Sequence, residues 1–311
     1  MRNLFRKAPP YITIPAQARP PAGTPTSQGA VAGLWVRCEN ERCRELLYVR
    51  EFENNLKVCH KCEHHARLTA RERIQQLVDE GSFHEHDAHL RPGDPLDFVA
   101  GGDQYAEKLK DTAVKAGETE AAISGSAALD GMPLELVVLD FAFLGASMGS
   151  VVGEKIARSA ERAAARRAPL VTVNASGGAR MQEGIYSLMQ MAKTVTALAH
   201  LGTTGTPHVS VLVNPTLGGV TASYAGVGDV IIVEHDALVG FAGPRVIEQI
   251  TKQKLPPDAQ RAAFLLEHGL VDMVLKRREL RPTLSRLLRL YSAGVRASPG
   301  LPVRNGVVHA C

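Results

Sequence analysis

Two sets of residues in this chain have types and spacings that could do chemistry. The first is a cysteine cluster. Cys38 and Cys43 are separated by four residues, Cys59 and Cys62 by two, and the only other cysteine is Cys311. Four thiolates brought together in two knuckles match tetrahedral zinc with a closed shell, so one structural Zn2+ per chain is expected. The C-x-x-C half leaves redox chemistry as the alternative. His60, His64 and His65 lie beside the cluster, but four thiolates already complete the shell, and these histidines read as surface residues. His84, His86 and His89 alternate, yet their segment ends in a Pro/Gly/Asp turn with no second ligand pair, so no metal is expected there.

The second set is a pair of diglycines. Gly177-Gly178 follows the apolar run Leu170 to Val173, and Gly218-Gly219 follows Val209 to Val213. Without Cβ atoms, such corners let backbone N–H groups face a ligand, and a helix beginning there would add partial positive charge. Two corners converging on one carbonyl oxygen would make an oxyanion hole. Read singly, each diglycine is better explained by a tight turn. Ser176 precedes the first pair but lacks the glycine two places upstream that a nucleophile elbow requires, and it reads as a turn residue.

The elements that must hold these corners are legible in outline. An apolar run without alternation suits a strand covered on both faces, and the two runs stand one strand-plus-helix unit apart, as in a parallel crossover. Between them, Ile185, Leu188, Met189, Ala192, Val195, Thr196 and Ala199 repeat at steps of three and four, which predicts the core-facing stripe of a helix. Upstream, Leu46 to Val49 and Leu56 to Val58 predict a short hairpin between the cysteine knuckles. An amphipathic helix with Ile74, Leu77 and Val78 on one side stops at Gly81. A charged helix spans roughly 103–115, a turn falls at Asp130-Gly131, and a strong strand then runs through the loop Gly145 to Gly149 into a helix. Downstream come strands at Val230 to Val233, Ala237 to Phe241 and Val271 to Leu275, helices after Gly243 and near Asp258 to His268, and a basic last helix.

Composition narrows the function classes. The chain has 311 residues, 45% of them hydrophobic, enough for a full-sized core. No apolar run approaches membrane-helix length and the start lacks a secretory pattern, so a soluble cytoplasmic protein without membrane contact is expected. No G-x-x-x-x-G-K occurs, which argues against ATP use by this chain. Both ends are basic around an acidic middle. Yet the cysteine segment mixes acids and bases and has few aromatics, so nucleic-acid binding through it is only weakly supported.

Several segments carry a specific resemblance: SGGARMQEG (176–184), SLMQMAKT (187–194), NPTLGGVTASYA (214–225), GFAGPRVIEQ (240–249), LEHGLVDMV (266–274), SMGSVVGEKI (147–156), and the cysteine knuckles followed by HHARLTARERI. In order and spacing the chain resembles, over roughly 34–293, the beta subunit family of bacterial acetyl-CoA carboxylase carboxyltransferase. The resemblance implies an α/β crotonase-like fold of repeated ββα units behind a zinc ribbon. The expected organisation is a Pro-rich arm at 1–33, the ribbon at 34–66, the crotonase-like domain at 67–294 and a tail at 295–311. The implied activity is transfer of a carboxyl group from carboxybiotin to acetyl-CoA, giving malonyl-CoA for fatty acid synthesis. The implied partners are a carboxyltransferase alpha subunit in an alpha2beta2 assembly, the biotin carboxyl carrier protein and biotin carboxylase. Biotin must arrive on a separate carrier, because Met191-Ala192-Lys193-Thr194 does not match a biotin-acceptor motif. By the same resemblance Gly177, Gly178, Gly218 and Gly219 form the acetyl-CoA oxyanion hole, with Gly178 and Gly219 the foremost donors. Ala146 and Asn214 stand where the family has Gly and Asp, and the first knuckle is longer than the family's usual C-x-x-C. A stand-alone enoyl-CoA hydratase or isomerase would need a carboxylate beside the hole, for which Glu154 and Glu183 are the nearby choices.

Overall fold

The computed structural model describes residues 33–256 and 258–297, so the expectations for the arm, for most of the tail and for Cys311 lie outside the described residues. In chain order the elements are β1 (Trp35–Arg37), β2 (Leu46–Tyr48), α1 (Val49–Asn54), α2 (Ala70–Leu77), β3 (His84–His86), β4 (Val99–Ala100), β5 (Asp103–Gln104), α3 (Tyr105–Ala116), β6 (Ala122–Leu129) and β7 (Met132–Leu139). There follow α4 (Ser150–Arg166), β8 (Leu170–Ser176), α5 (Ile185–Thr203), β9 (His208–Leu217), β10 (Val230–Glu234), β11 (Val239–Gly240), α6 (Pro244–Thr251), α7 (Ala262–Glu267), β12 (Met273–Leu275) and α8 (Arg277–Ala297).

The main sheet runs β12-β10-β9-β8-β7-β6-β3, with β11 extending the far end of β9. Strands β7, β8, β9, β10 and β12 are parallel, while β3 and β6 pair antiparallel. The β6–β7 hairpin closes on Asp130 and Gly131, both at positive φ, which Asp-Gly adopts with little strain. Strand β8 is buried along its whole length, with apolar Leu170, Val171 and Val173 beside buried Thr172, Asn174 and Ser176, whose side chains hydrogen-bond to His208, Ser210 and Ala146 O. Its residues alternate between two cores. Val171 and Val173 face a layer with Ile74 and Leu77 of α2 and Leu280, Leu284 and Leu288 of α8, whereas Leu170 faces α4 and α5. The domain is therefore a sheet covered by helices on both sides.

Two expectations are corrected. Leu46–Tyr48 does not pair with Leu56 to Val58; it pairs with Trp35–Arg37, and Val58 bridges His65. Each knuckle closes its own small turn, with Cys38 N–H donating to Glu45 O and Cys59 N–H to His64 O, so the two hairpins form within the knuckles and not between them. Helix α5 also turns its other side inward. Ile185, Leu188 and Met189 are exposed, and Ser187, Gln190, Thr194, Ala197, Leu198 and Leu201 are buried. The reason is the closeness of α4, where a Cβ on Gly153 would lie 2.2 Å from Gln190 Oε1. The buried polar side chains donate to carbonyls of their own helix or its N-cap: Ser187 to Gly184, Gln190 to Tyr186 and Thr194 to Gln190. Ser187 and Thr194 are thereby satisfied, while Gln190 Oε1 is buried without a hydrogen-bond partner among the described residues.

Candidate active site and metal centre

Strands β8 and β9 are parallel neighbours, so both diglycines emerge at carboxyl ends of one sheet, where open α/β sheets present ligand sites. The corners touch. A Cβ on Gly218 would lie 2.8 Å from Gly178 Cα, and one on Gly178 would lie 4.0 Å from Gly219 N. Only glycine permits this approach, and Gly178 (φ 120) and Gly218 (φ 65) also take left-handed backbone.

The amides of the corners are not equivalent. Gly177 N–H donates to Gly145 O at 2.8 Å and Gly218 N–H to Gly240 O at 3.1 Å, so neither is free for a ligand. Gly178 N–H reaches only the Ser176 hydroxyl, 3.0 Å away within its own turn. Gly219 N–H donates to no protein acceptor among the described residues, although Gly219 is buried. Buried N–H groups without partners are rare, and one beside a second weakly held amide marks a place for an acceptor from outside the chain. Neither corner opens directly into an α-helix: a 3-10 turn at Met181–Glu183 precedes α5, and 218–223 is a set of turns. The donors act without an adjoining helix dipole.

The loop before α4 clamps the first corner. Besides Gly145, Ala146 O accepts from Ser176 Oγ at 2.7 Å, Met148 N–H donates to Gly178 O at 2.8 Å, and Arg180 N–H donates to Met148 O at 2.9 Å. Ala146 itself sits at φ 48, the left-handed backbone that a glycine would take without strain. Ser176 is fully buried with its hydroxyl spent in this clamp, as a turn residue should be.

Neither carboxylate considered for a hydratase is placed to act as a base. Glu183 is fully buried and accepts from Ser150 N–H at 2.6 Å and from Tyr105 OH at 3.0 Å. Glu154 pairs with Lys193 and Arg158, Lys193 foremost, and together they hold its carboxyl below the usual range.

The four cysteines converge. All their Sγ atoms lie within 4.8 Å of one another, with Cys38 and Cys62 3.7 Å apart and Cys43 and Cys59 4.0 Å apart. Metal–sulfur bonds of about 2.3 Å around a tetrahedral ion imply edges of about 3.8 Å, so the longer knuckle still delivers its thiolates at zinc spacing. It is the one such cluster among the described residues, which leaves His84 and His86 in a strand, the latter bonded to Ser126 Oγ at 3.0 Å.

His65 corrects the surface reading of its neighbourhood: it is buried, with Nδ1 3.4 Å from Glu234 Oε2. Glu234 also meets Arg73 at 2.6 Å and Arg277 at 3.1 Å, and Arg277 donates to Leu56 O of the ribbon at 2.7 Å. The two guanidiniums and His65 hold the Glu234 carboxyl well below the usual range against its burial. This joint locks the ribbon to β10. Nothing in the sequence pointed to it, because its members come from distant segments.

Residues 62–277 match the carboxyl transferase domain family. The acetyl-coenzyme A carboxylase carboxyl transferase subunit beta of Chloroflexus aurantiacus is 55% identical over 258 residues, 83% of this chain and 84% of that one. The corresponding subunit of Pelotomaculum thermopropionicum is 52% identical over 292 residues, 94% of this chain and 98% of that one. Among solved structures, the transcarboxylase 12S core with methylmalonyl-coenzyme A bound superposes with a TM-score of 0.61 at 26% identity, covering 77% of this chain and 43% of that one. A Pseudomonas malonate decarboxylase hetero-tetramer in complex with malonate gives 0.59 at 27% identity, covering 76% and 84%. The mixed α/β crotonase-like class expected from the motifs is thus the observed one. With a sheet ending in two touching diglycine corners, a four-thiolate ribbon and these relatives, the chain belongs to the carboxyl transferase family, among the acetyl-CoA carboxylase carboxyl transferase beta subunits.

Proposed function

We propose that this chain is the beta subunit of an acetyl-CoA carboxylase carboxyltransferase and that Gly219 and Gly178 supply the donors that stabilise the thioester enolate. The observation that carries the donor assignment is the buried Gly219 N–H, without an acceptor among the described residues and lying against the Gly178 corner. Removing the α-proton of acetyl-CoA moves negative charge onto the thioester oxygen. A preorganised amide at that oxygen is worth about 3 to 4 kcal/mol of barrier in comparable holes. Gly178 N–H is held by a neutral hydroxyl, and an oxyanion is the stronger acceptor, so the second donor can turn to it. Carboxybiotin on its carrier brings the carboxyl group and, once relieved of it, a nitrogen able to take the proton. This chain therefore needs no carboxylate base, in keeping with Glu183 being consumed by Ser150 and Tyr105.

The enzyme is a multisubunit one, and the surface beside the corners fits a partner. Met181, Ile185, Leu188 and Met189 stand exposed around the start of α5, and Phe241 and Ile250 are 69% and 76% exposed beyond the second corner. Apolar groups of this size grouped at a functional site mark an interface. The partner we assign to it is the carboxyltransferase alpha subunit, which would complete the pocket for the carboxybiotin carrier. Among the described residues no helix is long and apolar enough to cross a membrane.

The test is reconstitution. The chain alone is expected to form no malonyl-CoA, and to form it when an alpha subunit and carboxybiotin are added; robust activity without the second subunit would refute the division of labour. Gly219→Val keeps the amide but sets a branched side chain beside it; if that keeps the thioester oxygen from reaching the N–H, kcat in that assay should fall by about 100-fold or more, the range seen when one oxyanion donor is lost. Its unchanged rate would remove Gly219 from the site.

A further inference from the structure

Behind the first corner lies a guanidinium that the donor pair does not itself use. Arg180 is fully buried, and each nitrogen of its fork is engaged. Nε donates to Ser147 Oγ at 3.1 Å, Nη2 to Ser147 O at 2.7 Å and to Glu120 Oε1 at 2.5 Å, and Nη1 to Glu120 Oε2 at 2.8 Å, with Tyr105 OH 3.4 Å away. Glu120 is buried too, and its Oε1 accepts Ala121 N–H at 2.7 Å. The neighbouring backbone leaves room for this group: a Cβ on Gly149 would fall 2.5 Å from Glu183 Oε1 and 3.0 Å from Arg180 Nη1.

Removing two charges from water costs about as much as their pairing returns, so such a pair adds little to stability over an apolar substitute. What this one does is geometric. The fork grips the carbonyl and the hydroxyl of Ser147, in the middle of the loop whose other carbonyls receive Gly177 N–H, the Ser176 hydroxyl and Arg180 N–H. Loop and corner therefore move as one piece, and the direction of the Gly178 amide depends on where that piece sits.

We infer that Arg180, with Glu120 as its counter-charge, is a positioning residue that aims the Gly178 amide at the acceptor it shares with Gly219. The inference rests on the reading of Gly178 and Gly219 as the donor pair. Its test uses the assembled enzyme with acetyl-CoA and carboxybiotin. Arg180→Lys keeps the charge and loses the fork; the double variant Glu120→Gln with Arg180→Gln removes both charges of that pair and leaves buried Glu183, 3.6 Å from Arg180 Nη1 in the wild type, to its neutral donors Ser150 N–H and Tyr105 OH. In both, kcat should fall by about 100-fold, the penalty of a misplacement near 1 Å, while the acetyl-CoA KM stays near wild type. Amide exchange at Gly178 and Ala179 should quicken while β8 keeps its protection.

A folded double variant with wild-type kcat overturns the inference, and so does a raised KM with kcat unchanged. Should the double variant fail to fold, Arg180→Lys is read by the same criteria. Gly219→Val in parallel separates the two claims. If Gly219→Val is slow and the Arg180 variants are not, only the positioning role falls; if Gly219→Val keeps the wild-type rate, the donor pair falls and the positioning role with it.

Discussion

Replacing Gly218 by alanine probes the close approach of the two corners directly. The new Cβ would stand 2.8 Å from Gly178 Cα, a backbone atom that no rotamer change can move aside. The residue also sits at φ 65, where an L side chain costs about 1 to 2 kcal/mol. Forcing a methyl into a filled space adds about 1 to 3 kcal/mol. Gly218→Ala should therefore lose about 2 to 5 kcal/mol of stability or, where the chain yields locally, push the corners apart. The control is Gly219→Ala, whose Cβ comes tight only against the flexible Met191 Sδ at 3.2 Å, with Ala179 Cβ at an ordinary 3.7 Å, and whose φ is not left-handed, so its stability should change little. Urea unfolding of both variants, paired with kcat in the reconstituted assay, reads the two effects. Gly218→Ala unfolding within about 1 kcal/mol of wild type and turning over normally would refute the contact between the corners, because the sum of the two penalties could not then exist.

Other outcomes follow from the same geometry. Ser176→Ala should keep most turnover and lose about 1 to 3 kcal/mol of stability, since it removes the bond to Ala146 O and leaves that carbonyl buried; complete inactivation of a folded variant would revive a nucleophilic serine. Cys59→Ser should abolish stoichiometric zinc by elemental analysis and lower the melting temperature, whereas a variant retaining one zinc per chain would contradict four-thiolate coordination. Burial pulls His208 down from 6.5 to about 4, so the unfolded chain takes up its proton first as pH falls. That contribution is complete above pH 6.5 and is lost progressively towards pH 4, amounting to about 2 kcal/mol between pH 7 and pH 5. His208→Gln should flatten that part of the stability profile, and an identical slope in the variant would show that His208 does not cause it.

The local chemistry of this chain was written in its residues. The knuckle spacing announced a metal site, the apolar run Leu170 to Val173 a covered strand, Asp130-Gly131 a turn, and two diglycines after apolar runs a pair of bare corners. These follow from properties a residue carries wherever it is placed: thiolate charge, the lack of a Cβ, apolar surface. What depended on partners far along the chain was not readable. The apolar repeat of α5 could not say that α4 would come close enough to bury the small and polar side instead. Nothing near Glu120 pointed to Arg180, nor anything near His65 to Glu234. The same limit applied to the four glycines of the site. Their flexibility belongs to the sequence, but whether an amide is spent on Gly145 or Gly240, or left without an acceptor among the described residues as at Gly219, is decided only when the sheet sets those carbonyls in place.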